Sequence, residues 1–284
     1  MAVVQSHAEV VAGLGRPSPL RYSGAMRTVT ATRYVTPLRE GGSLPAIVEA
    51  DDSGLYVVKF RGAGHGSKAL IAETITGELA RAAGLRVPEL VTVRVDEALG
   101  RNEPDPEIRD LLRASVGLNL GLDFLPGSIT FDPVVGPAPA ATEASEIVWL
   151  DAFASNVDRT ARNPNLLCWH RQLWLIDHGA SLYFHHAWDD EELRSRSPFA
   201  AVALHVLLPW ANAVPAAGAR LAPRLGPDTV ARVLAQVPDE WLEGEPRFAT
   251  PAAYRDGYAR HLARRLEAAP LFEEEADRAR AALV

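Results

Sequence analysis

Apolar and polar residues alternate along the first part of the chain, whereas apolar residues recur at helical spacing along the second part. A period of two is typical of half-buried strands, and the β-branched and aromatic content of the first part agrees with strands. The residues 51–54, Asp-Asp-Ser-Gly, are typical of a hairpin turn. The pattern predicts five strands, at residues 26–38, 45–50, 55–60 and 88–95 and within residues 114–124.

Helices are predicted from a different spacing. Residues 68–83 carry Ile71 and Ile75 on one face, and Gly84 follows as a C-terminal cap. In the second part, residues 163–176 contain two short apolar runs, which predict a hairpin. The remaining apolar periodicity predicts helices at residues 144–155, 205–213, 227–236 and 252–266, and the last residues continue this pattern.

A strand-rich first part followed by a helix-rich second part predicts an α+β protein with two lobes. A short break at residues 125–128 separates the two parts. We expect an irregular arm at residues 1–24, a mainly antiparallel N-terminal lobe with one helix at residues 25–124, and an α-rich C-terminal lobe at residues 125–284.

The composition argues against several functional classes. Of the 284 residues, 48% are hydrophobic and 23% are charged, as is usual for a globular protein. The formal net charge of −7 argues against direct binding of nucleic acid. There is no apolar run long enough to span a membrane, no secretory signal and a single cysteine, Cys168, so we expect a cytoplasmic protein. Adjacent His185 and His186 would point to opposite faces of an extended chain, which argues against a zinc site.

Three polar residues of the second part stand in the order that a phosphoryl-transfer site needs. Asp158 lies in a polar loop, Asn163 follows five residues later, and Asp177 ends an apolar run two residues before a glycine. One carboxylate can orient a nucleophile, while an amide oxygen and a second carboxylate hold Mg²⁺ against ATP phosphates. Asn165 is an alternative to Asn163. Each motif alone also fits a polar loop with Asx turns, so the argument depends on the ordered set.

The first part supplies a cation for the same chemistry. Lys59 lies in an apolar strand, where an ammonium group is costly unless it meets an anion such as an ATP phosphate. Glu73, fourteen residues later in the predicted helix, can pair with Lys59 if the helix packs on the sheet. Glu78 is the competing partner. A solvent-facing lysine and an ordinary helix carboxylate are the structural alternatives.

A glycine-containing turn, Glu40-Gly41-Gly42-Ser43, joins the first two predicted strands. Glycines let backbone amides approach phosphate oxygens, so we assign Gly41, Gly42 and Ser43 to nucleotide binding. No Gly-Lys-Ser/Thr follows, which excludes a Walker loop. Residues 62–66 are also rich in glycine but lack the acidic residue that completes a Rossmann fingerprint.

Together these residues resemble those of the HipA-like kinases, especially a short bacterial branch common in actinobacteria. The resemblance covers roughly residues 27–186. It implies a two-lobed, protein-kinase-like fold with ATP between the lobes. The residues that carry the resemblance are Glu40-Gly41-Gly42-Ser43, Tyr56-Val57-Val58-Lys59-Phe60, Glu73 with the later Leu79-Ala80 and Gly84-Leu85, Asn156-Val157-Asp158-Arg159 with Asn163, and Ile176-Asp177-His178-Gly179.

The resemblance also implies a role for each matching residue. Lys59 is expected to be the catalytic lysine that binds phosphate, and Glu73 is expected to be its partner. Asp158 is expected to be the catalytic aspartate. Asn163 and Asp177 are expected to be the ligands of Mg²⁺.

The region between the lobes and the phosphate turn carry further expectations. Asp123, Phe124 and Leu125 should form the hinge, whose backbone would hydrogen-bond adenine. Ser43 is the nearest equivalent of the serine that toxin-type members autophosphorylate. Val157 stands before the catalytic aspartate in place of the arginine of eukaryotic kinases, which removes the usual docking point for a phosphorylated activation loop.

The sequence therefore predicts a kinase that depends on ATP and Mg²⁺ and phosphorylates a Ser or Thr hydroxyl of an unidentified protein. A kinase for a small-molecule acceptor, of the sugar or aminoglycoside type, is the alternative enzyme. A pseudokinase that binds a partner is the alternative outside catalysis. The resemblance leaves room for an antitoxin-like partner, and we expect neither nucleic acid nor a membrane as a partner.

Overall fold

Five strands close into a small barrel in the computed structural model, which describes residues 26–38, 44–64, 66–101 and 103–283. Their order around the barrel is β1-β2-β3-β5-β4, and every neighbouring pair is antiparallel except β1 and β4, which run parallel. The predicted arm at residues 1–24 and the turn residues Gly41, Gly42 and Ser43 lie outside the described residues. The strands are β1 (Arg27–Pro37), β2 (Ala46–Ala50), β3 (Leu55–Lys59), β4 (Leu90–Val95) and β5 (Gly117–Asp123).

Buried and partly exposed residues alternate along β2 and β3, and the buried side chains fill the barrel. Val48 in β2 and Val58 in β3 point into the barrel and are fully buried, while their neighbours on either side in each strand are partly exposed. The predicted turn between the two strands is confirmed. Ser53 takes a left-handed φ of 64°, and the carboxylate of Asp52 accepts a hydrogen bond from the N–H of Gly54 at 2.9 Å.

Helix α1 (Gly66–Ala83) lies between the barrel and the second part of the chain. It is buried on almost all sides, because strands cover one face and the later helix α6 (Pro227–Leu234) packs on another. Gly84 ends the helix with a left-handed φ of 92°, as predicted. The guanidinium of Arg224 donates to the carbonyl of Ala83 at 2.5 Å and secures this end.

The prediction of one helix in the first part is wrong, because α2 (Pro106–Ala114) also forms there. Asp105 caps it by accepting from the N–H of Glu107 at 2.9 Å, and Pro106 occupies the first turn. Only Leu112 of this helix is fully buried. Its nine residues place only Ile108, Leu111 and Leu112 on the apolar side, and so short a pattern does not identify a helix by hydrophobic spacing alone.

The second part of the chain is mainly helical. A small sheet in the order β6-β7-β8 includes the predicted hairpin, whose two turn residues, His170 and Arg171, have φ values of 48° and 62°. Positive φ at both positions is characteristic of a type I′ turn. The elements are β6 (Ile129–Thr130), α3 (Ala141–Ala154), β7 (Leu166–Trp169), β8 (Gln172–Leu175), α4 (Glu191–Ser195), α5 (Val214–Leu221), α6, α7 (Pro251–Glu267) and α8 (Ala269–Ala281).

The helix predicted at residues 205–213 is wrong. This stretch forms only a 3₁₀ turn, Leu208–Trp210. Pro209 lacks an N–H to continue a helix, and the ring of His205 accepts the N–H of Leu207 at 3.0 Å, which competes with helical bonding. His205 is thereby placed beside a loop of the candidate site.

Two hydrophobic cores support the two parts. One fills the barrel, and the larger one joins α1 to the helices of the second part around Trp149 and Trp241. The division at residues 124 and 125 stays a prediction. Within the described ranges, no helix has both the length and the apolar content needed to cross a membrane.

Candidate active site

Lys59, at the end of β3, joins two carboxylates from distant parts of the chain. Its Nζ donates to Oε2 of Glu73 at 2.6 Å and to Oδ1 of Asp177 at 2.7 Å. The alternation of β3 directs Tyr56 and Val58 into the barrel and therefore directs Lys59 outward, toward α1. The structure thus brings together three of the residues that the sequence analysis selected.

Glu73 is fully buried, and it also contacts the histidine that follows Asp177. The Nδ1 atom of His178 lies 3.4 Å from Oε1 of Glu73. Burial alone would raise the pKa of Glu73, but the charge of Lys59 and the contact with His178 outweigh it and hold the pKa at about 2. We call Lys59, Glu73, Asp177 and His178 the cleft cluster.

Lys59 itself is held in its charged form. Burial opposes the charge, but the two nearby carboxylates outweigh burial and raise the pKa of Lys59 above its ordinary value. Glu78, the competing partner, instead pairs with Arg81 on its own helix at 3.1 Å. Of the two glutamates, only Glu73 reaches the lysine.

Asp158 lies in the loop that follows α3. Its Oδ2 accepts hydrogen bonds from the side-chain amides of Asn163 at 2.7 Å and Asn165 at 3.2 Å. Its backbone N–H donates to the side-chain oxygen of Asn156 at 3.1 Å, as in an Asx turn. Both candidate asparagines therefore contact the candidate catalytic aspartate, and the choice between them remains open.

The loop of Asp158 and the segment of Asp177 are directly connected. The carbonyl of Asn165 accepts the N–H of Ile176 at 3.1 Å, while the side chain of Asn165 reaches Asp158. Asp177 has a left-handed φ of 55°, a conformation that aspartate tolerates better than most residues. The two acidic groups therefore belong to neighbouring loops of one site.

Behind these loops lies a second polar cluster, which the sequence analysis missed. Arg159 is fully buried, and its Nε donates to Oδ2 of Asp151 on α3 at 2.5 Å. Its Nη1 donates to the carbonyls of Asn165 and Ile176, the latter at 3.2 Å. One guanidinium thus ties α3 to both loops of the site.

His205 completes this second cluster. Its Nδ1 accepts the N–H of Leu207, so its Nε2 carries the proton and donates to Oδ2 of Asp151 at 3.0 Å. Burial would raise the pKa of Asp151, but Arg159 and His205 hold it well below its ordinary range. We call Asp151, Arg159 and His205 the loop cluster. One feature of the sequence could have pointed to this cluster, namely that Arg159 directly follows the candidate catalytic residue Asp158.

The predicted hinge follows β5. The N–H of Asp123 donates to the carbonyl of Glu89, and the N–H of Phe124 donates to the carbonyl of Leu55, both at 2.9 Å. These two donors are therefore engaged inside the protein. Among the described residues, the N–H of Leu125 has no such acceptor.

His185 and His186 do not lie on an extended chain as expected. They belong to a 3₁₀ helix, Tyr183–His186, and their Nε2 atoms are 3.2 Å apart. Nδ1 of His185 also contacts the hydroxyl of Tyr258 at 2.9 Å. No group of three or more metal-binding side chains occurs in the part of the chain that the structure describes.

The profile of the HipA-like kinase family matches residues 32–273. The chain belongs to the HipA-like kinase family. By family it is a kinase, that is, a phosphotransferase. A search of curated proteins found no match.

Solved structures of two kinases are similar to this chain. The proinflammatory kinase CtkA of Helicobacter pylori is similar with a TM-score of 0.54 at 12% sequence identity, over 91% of this chain and 99% of that chain. Golgi casein kinase with Mn and ADP bound aligns with a TM-score of 0.48 at 12% identity, over 92% of this chain and 75% of that chain. The expected kinase-like fold, with a β-rich first part and a helix-rich second part, is confirmed.

Proposed function

We propose that this HipA-like kinase transfers the γ-phosphoryl group of ATP, with Mg²⁺, to a Ser or Thr hydroxyl of a protein. The observation that carries the proposal is the contact of Lys59 with Glu73 and Asp177, in a site whose neighbouring loop presents Asp158. This is the set of groups that phosphoryl transfer requires. Asn165 links the two loops and holds their spacing.

The donor groups fit Mg²⁺ and ATP. Lys59 has three rotatable N–H donors, so it can keep its contact with Glu73 and turn a donor from Asp177 to a phosphate oxygen. Asp177 and an amide oxygen of Asn163 or Asn165 are hard oxygen ligands of the kind that Mg²⁺ prefers. The N–H of Leu125 is a suitable donor for adenine. Bound Mg²⁺–ATP would supply the transferable phosphoryl group and neutralise its charge.

Asp158 would orient the acceptor hydroxyl. Its Oδ2 is occupied by the amides of Asn163 and Asn165, which fix the carboxylate in one orientation. Its Oδ1 accepts no hydrogen bond from the described residues and is therefore available to the hydroxyl proton. General-base or orienting roles of this kind need such a pre-set geometry.

An open acceptor side supports a protein substrate over a small molecule. Next to Asp158, Val157 is 44% exposed, and Arg162 and Asn163 are also exposed. Sites for small molecules are usually concave and bury most of the ligand. A flexible polypeptide that carries a hydroxyl fits such an open surface.

Labelled ATP tests the proposal. The protein is incubated with γ-labelled ATP and Mg²⁺, alone and with a bacterial lysate, and the products are separated into proteins and metabolites. Labelled Ser or Thr in a protein supports the proposal. Label only in a metabolite supports the small-molecule alternative, and binding of ATP without transfer supports the pseudokinase.

Asp158→Asn provides the decisive variant. We expect it to abolish transfer but to retain ATP binding, because the phosphate and metal ligands remain. Asp256→Asn, the same chemical change on the exposed face of α7, is the matched control and should behave as wild type. Undiminished transfer by Asp158→Asn would remove Asp158 from the mechanism.

A further inference from the structure

His178 is a buried polar residue for which the proposed chemistry gives no role. It follows Asp177 directly, and its side chain is 0% exposed. Its ring lies against α1, where Nδ1 faces Oε1 of Glu73 at 3.4 Å. A Cβ placed on Gly77, one helical turn after Glu73, would be 3.8 Å from the same nitrogen. This is an ordinary van der Waals distance, so the ring packs closely against the face of α1 that Gly77 occupies.

The contact between His178 and Glu73 has a defined direction. An ionised carboxylate only accepts hydrogen bonds, so Nδ1 of His178 must donate to it. The two oxygens of Glu73 are then assigned to different partners, with Oε2 bound to Lys59 and Oε1 bound to His178. Nε2 of His178 is buried and has no partner among the described residues. Within the described part of the chain, the ring thus makes one polar contact, with Glu73.

A phosphate ligand would change the balance of contacts around Asp177. In the structure, Lys59 binds the Asp177 carboxylate directly at 2.7 Å. An oxygen of ATP that binds Lys59 competes with this contact, and a metal ion that binds Asp177 does the same. Once the contact with Lys59 is lost, the Asp177 segment needs another contact with α1 to keep the carboxylate in position. His178, its immediate neighbour in the chain, has such a connection through Glu73.

We propose that His178 is a positioning residue that couples Asp177 to α1 through Glu73, so that the carboxylate stays in place when Lys59 turns to phosphate. This inference rests on the function proposed above. It assigns two tasks to His178. The first is to orient Glu73, the partner of Lys59, and the second is to hold the segment of Asp177 against α1.

Packing alone is the competing explanation, and substitutions separate the two. His178→Phe fills a similar volume and removes the donor. His178→Asn is smaller, but its amide nitrogen can occupy the place of Nδ1. If packing alone matters, phenylalanine should be the better replacement. If the hydrogen bond to Glu73 matters, asparagine should be better.

The test compares phosphate transfer at varied Mg²⁺ and ATP concentrations. We expect His178→Phe to lower the apparent Mg²⁺ affinity or kcat/KM for ATP by about 10- to 100-fold, as is typical when a group that orients a metal ligand is lost. His178→Asn should recover most of this loss. Thermal unfolding without ligand should show at most a modest loss for His178→Phe, because the apolar ring keeps the packing but no longer donates to the buried Glu73 carboxylate.

Ser181→Ala is the matched control in the same segment. Ser181 is 1% exposed, and its hydroxyl has no partner among the described residues, so the variant should keep the wild-type Mg²⁺ requirement. Equal Mg²⁺ and ATP dependence of wild type and His178→Phe would overturn the inference while leaving the proposed function intact. Absence of transfer by the wild type itself, in every arm, would overturn the proposed function instead.

Discussion

The cleft cluster and the loop cluster use the same groups in different surroundings. Each contains a fully buried carboxylate on a helix that contacts one basic side chain and one histidine ring. The lysine of the cleft cluster is 13% exposed and reaches a second carboxylate that is 46% exposed. The arginine of the loop cluster is 0% exposed, and its partners are a carboxylate and two backbone carbonyls. The first cluster can exchange a partner for a ligand, whereas the second cannot.

The choice of cation agrees with this difference. A guanidinium offers several donors in a rigid plane, which suits Arg159 because its partners, a carboxylate and two carbonyls, are all fixed. An ammonium is a compact charge with three rotatable donors, which suits Lys59 because its partners must change during a reaction cycle. The comparison therefore predicts that stability depends more on the arginine and activity more directly on the lysine.

The largest expected effect is that of Arg159→Met. The substitution leaves the buried Asp151 carboxylate without its cation, and breaking a buried pair in this way costs about 3–5 kcal/mol. Urea denaturation should show this decrease in the free energy of unfolding. Arg220→Met, which removes a surface pair with Glu146, is the control and should change the value by about 0.5 kcal/mol or less. Equal effects of the two variants would contradict the importance of the buried pair of Arg159 and Asp151 for stability.

Lys59→Met should reduce phosphate transfer by at least about 100-fold, because a preorganised charge that faces the transferred group is lost. Its effect on the free energy of unfolding should be smaller than that of Arg159→Met, since the cleft admits solvent and Glu73 can take up a proton. Initial rates and urea denaturation of the two variants give the comparison. A larger loss of stability in Lys59→Met than in Arg159→Met would contradict the prediction that stability depends more on the arginine.

Acid should weaken the cleft cluster in a defined range. The folded pKa of Glu73, about 2, lies below its ordinary value of 4.5, so its contribution to stability is present above pH 4.5 and is lost as the pH falls toward 2. The contribution is at most about 3 kcal/mol. Glu73→Gln should therefore show a flatter dependence of unfolding free energy on pH between 4.5 and 2. An unchanged slope would contradict the strong pairing with Lys59.

His205→Gln should have the smallest effect. Glutamine keeps a donor for Asp151, so the loss should be about 1 kcal/mol, as for one altered hydrogen bond. Burial lowers the pKa of His205, so its contribution to stability should decrease as the pH falls below 6.5, and the variant should lack this dependence. Thermal unfolding at pH 7.5 and pH 5.5 measures both. A loss as large as that of Arg159→Met would mean that the histidine is indispensable to the cluster.

Local patterns account for the parts of the fold that the sequence predicted. The turn at Ser53, helix α1 with its cap at Gly84, and the hairpin at His170 depend on residues close together in the chain. The parallel pairing of β1 with β4 depends on strands about 60 residues apart, and no local period reports it. Helix α2 was missed for a different reason, because its nine residues are too few for hydrophobic spacing to identify a helix.

The site shows a similar division. Lys59, Glu73 and Asp177 could be selected because their order along the chain matches a known chemistry, although the lysine and the aspartate are 118 residues apart. Asp151 and His205 have no such signature. One is a polar residue inside an apolar helix, and the other lies 54 residues later in a stretch wrongly predicted as a helix. Their partnership depends on tertiary packing alone.

Closure of the five-strand barrel has a consequence for how the first part of the molecule meets other chains. A sheet that joins its own first and last strands offers no row of unpaired backbone groups, so an incoming peptide cannot extend it and neighbouring copies cannot stack edge to edge. Any truncation that removes Arg27–Pro37 would expose the unpaired backbone groups of both β2 and β4, and these two edges could then pair with other chains.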